Sequence, residues 1–244
     1  MSDLHPTAAA GFSAAAEAYE RARPGYPDEA VAWVAERLAI GPGRDVLDLA
    51  AGTGKLTRQL VPFGAHIVAV EPIDAMRAEL ERAVPGVEAL AGTAEAIPLA
   101  DGSVDAVTCA QAFHWFRADE AVPEIRRILR TGGGLALLWN GRDLEDPKHA
   151  RVDELLAPHR SEFPSGEDRW RELLGPLEAR TWRYSESLTR DEYVDRVASQ
   201  SCVGAMAPAQ RLEFLNEVRD VLSSFPEPLD FRDLTEVFIC ESLV

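Results

Sequence analysis

The sequence predicts a doubly wound α/β fold, a mostly parallel sheet with helices on both faces. Two observations carry that prediction. Up to Asn140, short apolar runs alternate with helix-length amphipathic segments, the pattern that strand–helix–strand units impose. The run Asp45–Leu49 then ends in the small-residue loop Ala50-Ala51-Gly52-Thr53-Gly54, a corner that cradles a nucleotide in sheets of this kind. Glycines at 52 and 54 let the backbone pass close beneath a ligand, because no Cβ stands in the way. The helix that follows points its unpaired N–H groups and positive dipole end at the same spot.

The elements follow in order. Residues 14–22 read as helical, which places Tyr19 and Arg23 on one face. Residues 27–38 form a helix with proline in its first turn. Strands are expected over 45–49, 66–70, 87–90 and 104–109, with helices over 54–62, 74–83 and 119–130. The glycines at 132–134 stop the last of these helices, and 135–139 is a fifth strand. Beyond Asn140 the pattern changes. Residues 141–176 carry polar turns and proline and read as an inserted helical segment over the C-terminal edge of the sheet. Strands over 180–187 and 234–241 flank helices over 190–199 and 208–223. There is no internal repeat, and the only biased stretch is the Ala-rich run 8–18.

The glycine loop alone leaves two cofactors open. A dinucleotide fingerprint wants a third glycine three residues after the second, and that position is Thr57. A nicotinamide-dependent reductase therefore loses weight. The second strand ends in Glu71-Pro72, where a carboxylate accepts hydrogen bonds from ribose hydroxyls and repels a 2′-phosphate. As a strand-end surface group it is expected to contribute little to stability.

These residues resemble the first two motifs of class I S-adenosylmethionine-dependent methyltransferases, with Ala50 standing where many members carry their first glycine. The third motif is similar as well: Gly92-Thr93-Ala94-Glu95, then the turn Asp101-Gly102-Ser103 and the fourth strand. Three further segments resemble the small-molecule subgroup that includes trans-aconitate methyltransferase. They are Arg23-Pro24-Gly25-Tyr26-Pro27, His114-Trp115-Phe116 and Ser199-Gln200-Ser201-Cys202. The resemblance implies a Rossmann-like seven-stranded sheet, mostly parallel with an antiparallel last strand, plus helical lid elements. It implies one methyltransferase domain over 1–244: an N-terminal lid and helix (1–40), a cofactor-binding core (41–140), then a helical insertion and C-terminal strands (141–244). It places S-adenosyl-L-methionine against Tyr19, Arg23, Asp48, Ala50, Gly52, Thr53, Gly54, Glu71, Pro72, Met76, Thr93, Ala94, Glu95, Ala110 and Gln111. Thr93 and Ala94 would flank the adenine, with Glu95 near its amino group.

The chemistry asked of such a site is modest. A sulfonium methyl group is already electrophilic, so the protein must align an acceptor and keep water away. A hydroxyl acceptor also needs a base, and His114, after the fourth strand, is the candidate, since an imidazole titrates near neutrality. A carboxylate acceptor needs none; there Arg23 and Arg142 offer planar forks. Two arginines against one histidine favour an acidic small molecule methylated on oxygen. A module that binds the cofactor without catalysis is the rival from another class.

Bulk properties narrow the partners. The 244 residues carry a formal net charge of −16, which argues against a nucleic-acid grip. The nearest thing to a basic run, Arg126-Arg127-Ile128-Leu129-Arg130, reads as the solvated face of a helix whose buried stripe is Val122, Ile125 and Leu129. No stretch reaches the roughly 18 apolar residues of a membrane helix, and the N-terminus lacks a secretory pattern. Cys109, Cys202 and Cys240 are widely spaced without metal-ligand spacing, so the expectation is a reduced, cytoplasmic protein with no metal.

Overall fold

The structure, a computed structural model, describes residues 23–159 and 169–243. Tyr19 and the helix expected over 14–22 lie outside these residues. The sheet has seven strands in the order β3-β2-β1-β4-β5-β7-β6. These are β1 (Asp45–Leu49), β2 (His66–Val70), β3 (Glu88–Leu90), β4 (Val104–Ala110), β5 (Leu129–Arg142), β6 (Glu178–Leu188) and β7 (Leu229–Cys240). The first five run parallel, and β7 enters antiparallel between β5 and β6. β1 has β2 on one side and β4 on the other, and the chain builds β1-β2-β3 outward before crossing back to β4. That switch point is where open sheets bind ligands.

Alternation along the central strands sends side chains to two cores. Leu47, Leu49, Val107, Cys109, Leu135 and Leu137 face one side. Val46, Ala106, Ala136 and Leu138 face the other. Helix α1 (Asp28–Arg37) covers the second face through Ala30, Val31 and Val34, joined by Leu56 and Leu60 of α2 (Lys55–Leu60). Helix α3 (Asp74–Ala83) links β2 to β3. Helix α4 (Ala118–Ile128) covers the first face through Ala121, Val122, Ile125 and Ile128. Each buried Val, Leu or Ile stabilises by about 1.5–3 kcal/mol, which fixes the strands beneath the site.

Two expectations are corrected here. Helix α4 ends at Ile128, before the glycines, because Leu129 is already extended and pairs with Val104. The residues 132–134 lie inside β5, where the register shifts, rather than stopping a helix. Of the basic run, Arg126 is exposed on α4 as expected, but Arg127 and Arg130 are half-buried and committed to partners within the chain. Arg127 donates to Glu124, Asp101 and the carbonyls of Ile97 and Leu99. Arg130, now on the strand, bridges Asp45 and Asp105.

The segment beyond β5 divides in two. Helix α5 (Pro147–Leu156) is capped by Asp146, whose Oδ1 accepts from Lys148 N and whose Oδ2 accepts from Arg232 N on β7. It packs through Val152 and Leu156 on α7 (Arg190–Ala198), α9 (Pro208–Ser223) and the start of β7, with the short α8 (Ser201–Gly204) alongside. This third core forms a cap. Helix α6 (Arg169–Leu174) instead joins the first face of the sheet through Trp170 and Leu174. No helix among the described residues is long and apolar enough to cross a membrane.

Candidate functional site

At the switch point the loop after β1 opens onto a cavity of about 230 Å³. Its floor is the glycine loop with Asp48, Ala50, Gly52 and Thr53; Ala110 and Gln111 follow β4; Arg23 and Tyr26 come from the N-terminal side. The far wall is Asn140, Arg142, Tyr184, Arg196, Gln200 and Asp233. The cavity thus gathers Arg23, Asp48, Ala50, Gly52, Thr53, Ala110 and Gln111 of the residues expected from sequence. Tyr184, Arg196 and Asp233 carry no local sequence signal and belong to it only through the β5–β7–β6 ladder and α7.

The loop holds its path by left-handed residues. Ala50 has φ +54°, Gly52 +59° and Gly54 +83°. Ala50 therefore takes a backbone conformation that a Cβ makes costly, by roughly 1–2 kcal/mol. Ala50→Gly should stabilise the protein by about 0.5–1 kcal/mol, partly offset by the freer unfolded chain; an unchanged or lower unfolding midpoint in denaturant titration would contradict this. Gln111, at φ +57°, is a second such residue on the opposite lip. Its backbone N–H donates to Leu138 O and its side chain to Asn140 O.

Asp48 is buried and both carboxylate oxygens are engaged. Thr57 Oγ1 donates to Oδ2 at 2.6 Å and Thr108 Oγ1 to Oδ1 at 3.0 Å. Burial pushes its carboxyl up to about 6, against these two hydroxyls. Thr57, at the place of the absent third glycine, thus holds Asp48 together with Thr108.

Glu71 departs from the expectation of a surface group, being only 4% exposed. Gly52 N–H donates to its Oε2 at 2.9 Å and Ile73 N–H to its Oε1 at 2.8 Å. The side chain is therefore a brace that ties the glycine loop to the start of α3, with Arg77 donating to its backbone carbonyl. Burial raises its carboxyl to about 7. Two carboxylate oxygens hold about four acceptor positions, so two remain for other donors.

The remaining expected residues sit beside the cavity rather than in its wall. Met76 lies under Gly52, with its sulfur 3.9 Å from where a Cβ would stand, and Pro72 follows Glu71. Thr93 and Ala94 are buried, and Thr93 Oγ1 has no hydrogen-bond partner. Glu95 accepts the Arg117 backbone N–H at 2.9 Å, so its carboxylate also anchors the loop before α4.

His114 sits in a setting unlike that of a general base. It does not line the cavity, and its Nδ1 accepts the Trp139 indole N–H at 3.2 Å. Burial, with Arg23 nearby, pushes its imidazole down to about 4. It is uncharged at neutral pH, with the proton on Nε2. Arg23 Nε donates to Ser199 Oγ at 2.9 Å, which joins the N-terminal segment to the end of α7. Arg142 faces Asp153 at 3.3 Å. Among the described residues no group of three His, Cys, Asp or Glu side chains is placed to hold a metal.

Comparison with known proteins agrees with this geometry. Residues 47–137 match the model of a methyltransferase domain. The chain is 42% identical over 221 residues to an uncharacterized methyltransferase of Mycobacterium tuberculosis, covering 88% of this chain and 86% of that protein. It is 35% identical over 215 residues to an uncharacterized methyltransferase-like protein of Schizosaccharomyces pombe, covering 85% and 84%. Among solved structures, a candidate type II methyltransferase from Anaeromyxobacter dehalogenans is similar with a TM-score of 0.68 and 27% identity, covering 89% of this chain and 96% of that one.

Proposed function

The chain belongs to the S-adenosylmethionine-dependent methyltransferases, and on that premise we propose that it methylates the carboxylate oxygen of a small acidic molecule. The described residues fit the cofactor. The glycine loop leaves room for a ligand, Glu71 keeps acceptor positions for ribose hydroxyls, and the partnerless Thr93 hydroxyl suits the edge of an adenine. When bound, the cofactor supplies a methyl group already activated on a sulfonium sulfur. In this reading residues 41–140 hold it, 141–244 complete the acceptor side, and 1–40 supply an N-terminal lid and helix.

One observation carries the acceptor class: among the described residues His114, the base that the sequence suggests, is not set up as one, and the acidic and phenolic groups of the cavity wall have other partners or keep their protons. Asp48 is engaged by two hydroxyls, and Asp233 faces Arg196 and His149. The Tyr184 phenol is pushed up to about 12 by burial and keeps its proton. His114 is neutral with Nδ1 already occupied. An alcohol or phenol must lose a proton on methylation, whereas a carboxylate arrives ionised. We assign its anchoring to Arg23 and Arg142, both of which line the cavity while also holding Ser199 and Asp153 respectively. The likeness to the trans-aconitate subgroup, carried by Arg23-Pro24-Gly25-Tyr26-Pro27 and His114-Trp115-Phe116, points to the same class. Nucleic acid is a poor acceptor on this view, since Arg127 and Arg130 are spent on internal carboxylates.

The test pairs two variants with an acceptor found by screening acids and phenols against labelled cofactor. His114→Ala should keep turnover within about tenfold, whereas loss of a true general base costs about 10²–10⁴. Arg23→Ala should raise the acceptor KM on the order of tenfold or more by removing a charge-assisted partner. A large His114 effect with Arg23 silent would return the reading to a hydroxyl acceptor.

A further inference from the structure

The far wall of the cavity is made by the sheet register. Arg142 on β5 lies opposite Asp233 on β7, and Asp233 lies opposite Tyr184 on β6. The three form one row across neighbouring strands, and all three line the cavity. Two cap helices reach the middle of this row. From α7, Arg196 Nη1 lies 3.2 Å from Asp233 Oδ2, and Arg196 also pairs with Glu186. From α5, His149 Nε2 faces Asp233 Oδ1 at 3.1 Å.

Behind His149 stands Tyr193, whose hydroxyl is 2.8 Å from Nδ1. Its ring stacks flat on Phe231, with centroids 3.9 Å apart and planes at 9°. The Arg142 guanidinium lies beside the same hydroxyl. With Tyr193 donating to Nδ1, the His149 proton sits on Nε2, which lies 3.1 Å from Asp233 Oδ1 without the alignment of a hydrogen bond. The contacts therefore run from Arg142 through Tyr193, His149 and Asp233 to Arg196, and both ends of the chain line the cavity.

His149 is 1% exposed, Tyr193 0% and Asp233 5%. A buried ionic cluster of this kind is a poor way to gain stability, because desolvation consumes most of the attraction. An apolar cap core is already present around it in Val152, Val194 and Val197. What the cluster does supply is a fixed orientation for two cations in a binding wall, the kind of support that second contacts give to a functional group.

We propose that His149 and Tyr193, which do not themselves line the cavity, are positioning residues that set Asp233 and Arg196 in the acceptor-facing wall. The inference rests on the cavity being the acceptor site, and it commits to no acceptor chemistry. It accounts for charged residues in a cap core that the cofactor half does not use.

The test uses the full-length protein and four substitutions: Tyr193→Phe, His149→Leu, His149→Gln and Arg196→Ala. Tyr193→Phe keeps the ring stack and removes only the hydroxyl. Glutamine keeps an N–H donor near the place of Nε2, so it should rescue what leucine loses. The first readout needs no acceptor: nitrogen-15 NMR of the Arg196 side-chain Nε–H, assigned by its loss in Arg196→Ala. That group is buried, and in the parent protein its signal should exchange slowly with water. It should exchange at least tenfold faster in Tyr193→Phe and His149→Leu and recover in His149→Gln. Calorimetric affinity for S-adenosylhomocysteine should stay within about twofold in Tyr193→Phe, His149→Leu and His149→Gln, since these residues do not line the cavity and the glycine loop and Glu71 are untouched. With an acceptor in hand, KM should rise on the order of tenfold in His149→Leu with kcat changed much less. An Arg196 signal unmoved in both Tyr193→Phe and His149→Leu would overturn the proposal, even if the acid-methylating reading stood. Should His149→Leu fail to fold, Tyr193→Phe decides alone.

Discussion

Glu71→Ala is expected to weaken both the fold and cofactor binding. The carboxylate takes the backbone N–H groups of Gly52 and Ile73 in a buried place. Alanine leaves two buried donors without partners, each costing about 1–3 kcal/mol. Stability should fall by about 2–4 kcal/mol, and in a chain of this size the unfolding midpoint by roughly 5–15 °C. Affinity for S-adenosylhomocysteine should fall on the order of ten- to a hundred-fold, from lost ribose acceptors and a loosened loop. Differential scanning calorimetry and titration calorimetry separate the two effects; a full-strength midpoint with normal affinity would return Glu71 to a bystander.

The same residue gives the binding a pH dependence with a defined sign. Burial raises its carboxyl from the ordinary 4.5 to about 7, and Asp48 is raised to about 6. As pH climbs from about 4.5 to 7 the unfolded chain ionises first, so these groups make the free protein less stable across that window. Ribose hydroxyls prefer the ionised acceptor. Affinity for S-adenosylhomocysteine should therefore rise with pH through about 7 and then level off, with proton release below it. Glu71→Gln should flatten the upper part of that profile.

Gly54→Ala should cost about 2–5 kcal/mol, the sum of a left-handed alanine and an overpacked neighbour. Its φ is +83°, and a Cβ would stand 3.0 Å from both Leu80 Cγ and Val84 Cγ2. Those groups belong to buried side chains of and just after α3, so they have little room to yield. At Gly52 the nearest group is the flexible Met76 sulfur at 3.9 Å, and alanine there should cost only the backbone strain, roughly 1–2 kcal/mol. Equal destabilisation of the two variants in urea would show that the helix contact is not what Gly54 protects.

Much of this was legible along the chain. The strands β1, β2 and β4 follow from apolar runs of buried period, and the loop after β1 from its small residues. What escaped the sequence lies in contacts of long range. Nothing near Leu129 says that the chain is already a strand, because its partner Val104 lies 25 residues earlier. Glu71 reads as exposed since it ends a strand, and its burial depends on Gly52 and Ile73 folding over it. His149, Tyr193, Arg196 and Asp233 meet across separations of 37 to 84 residues, with no periodic pattern to announce them. His114 was legible as a titratable side chain near the site, but not as the acceptor of the Trp139 indole proton.

The most direct test of the central claim is the chemical lability of the transferred methyl group. The protein is incubated with methyl-labelled S-adenosylmethionine and a panel of small carboxylic acids and phenols. Each labelled product is then treated with mild alkali. Carboxylate methylation predicts label entering an acid and released as volatile methanol, the signature of a methyl ester. Label that enters a phenol and resists alkali, with the acids unlabelled, would contradict it.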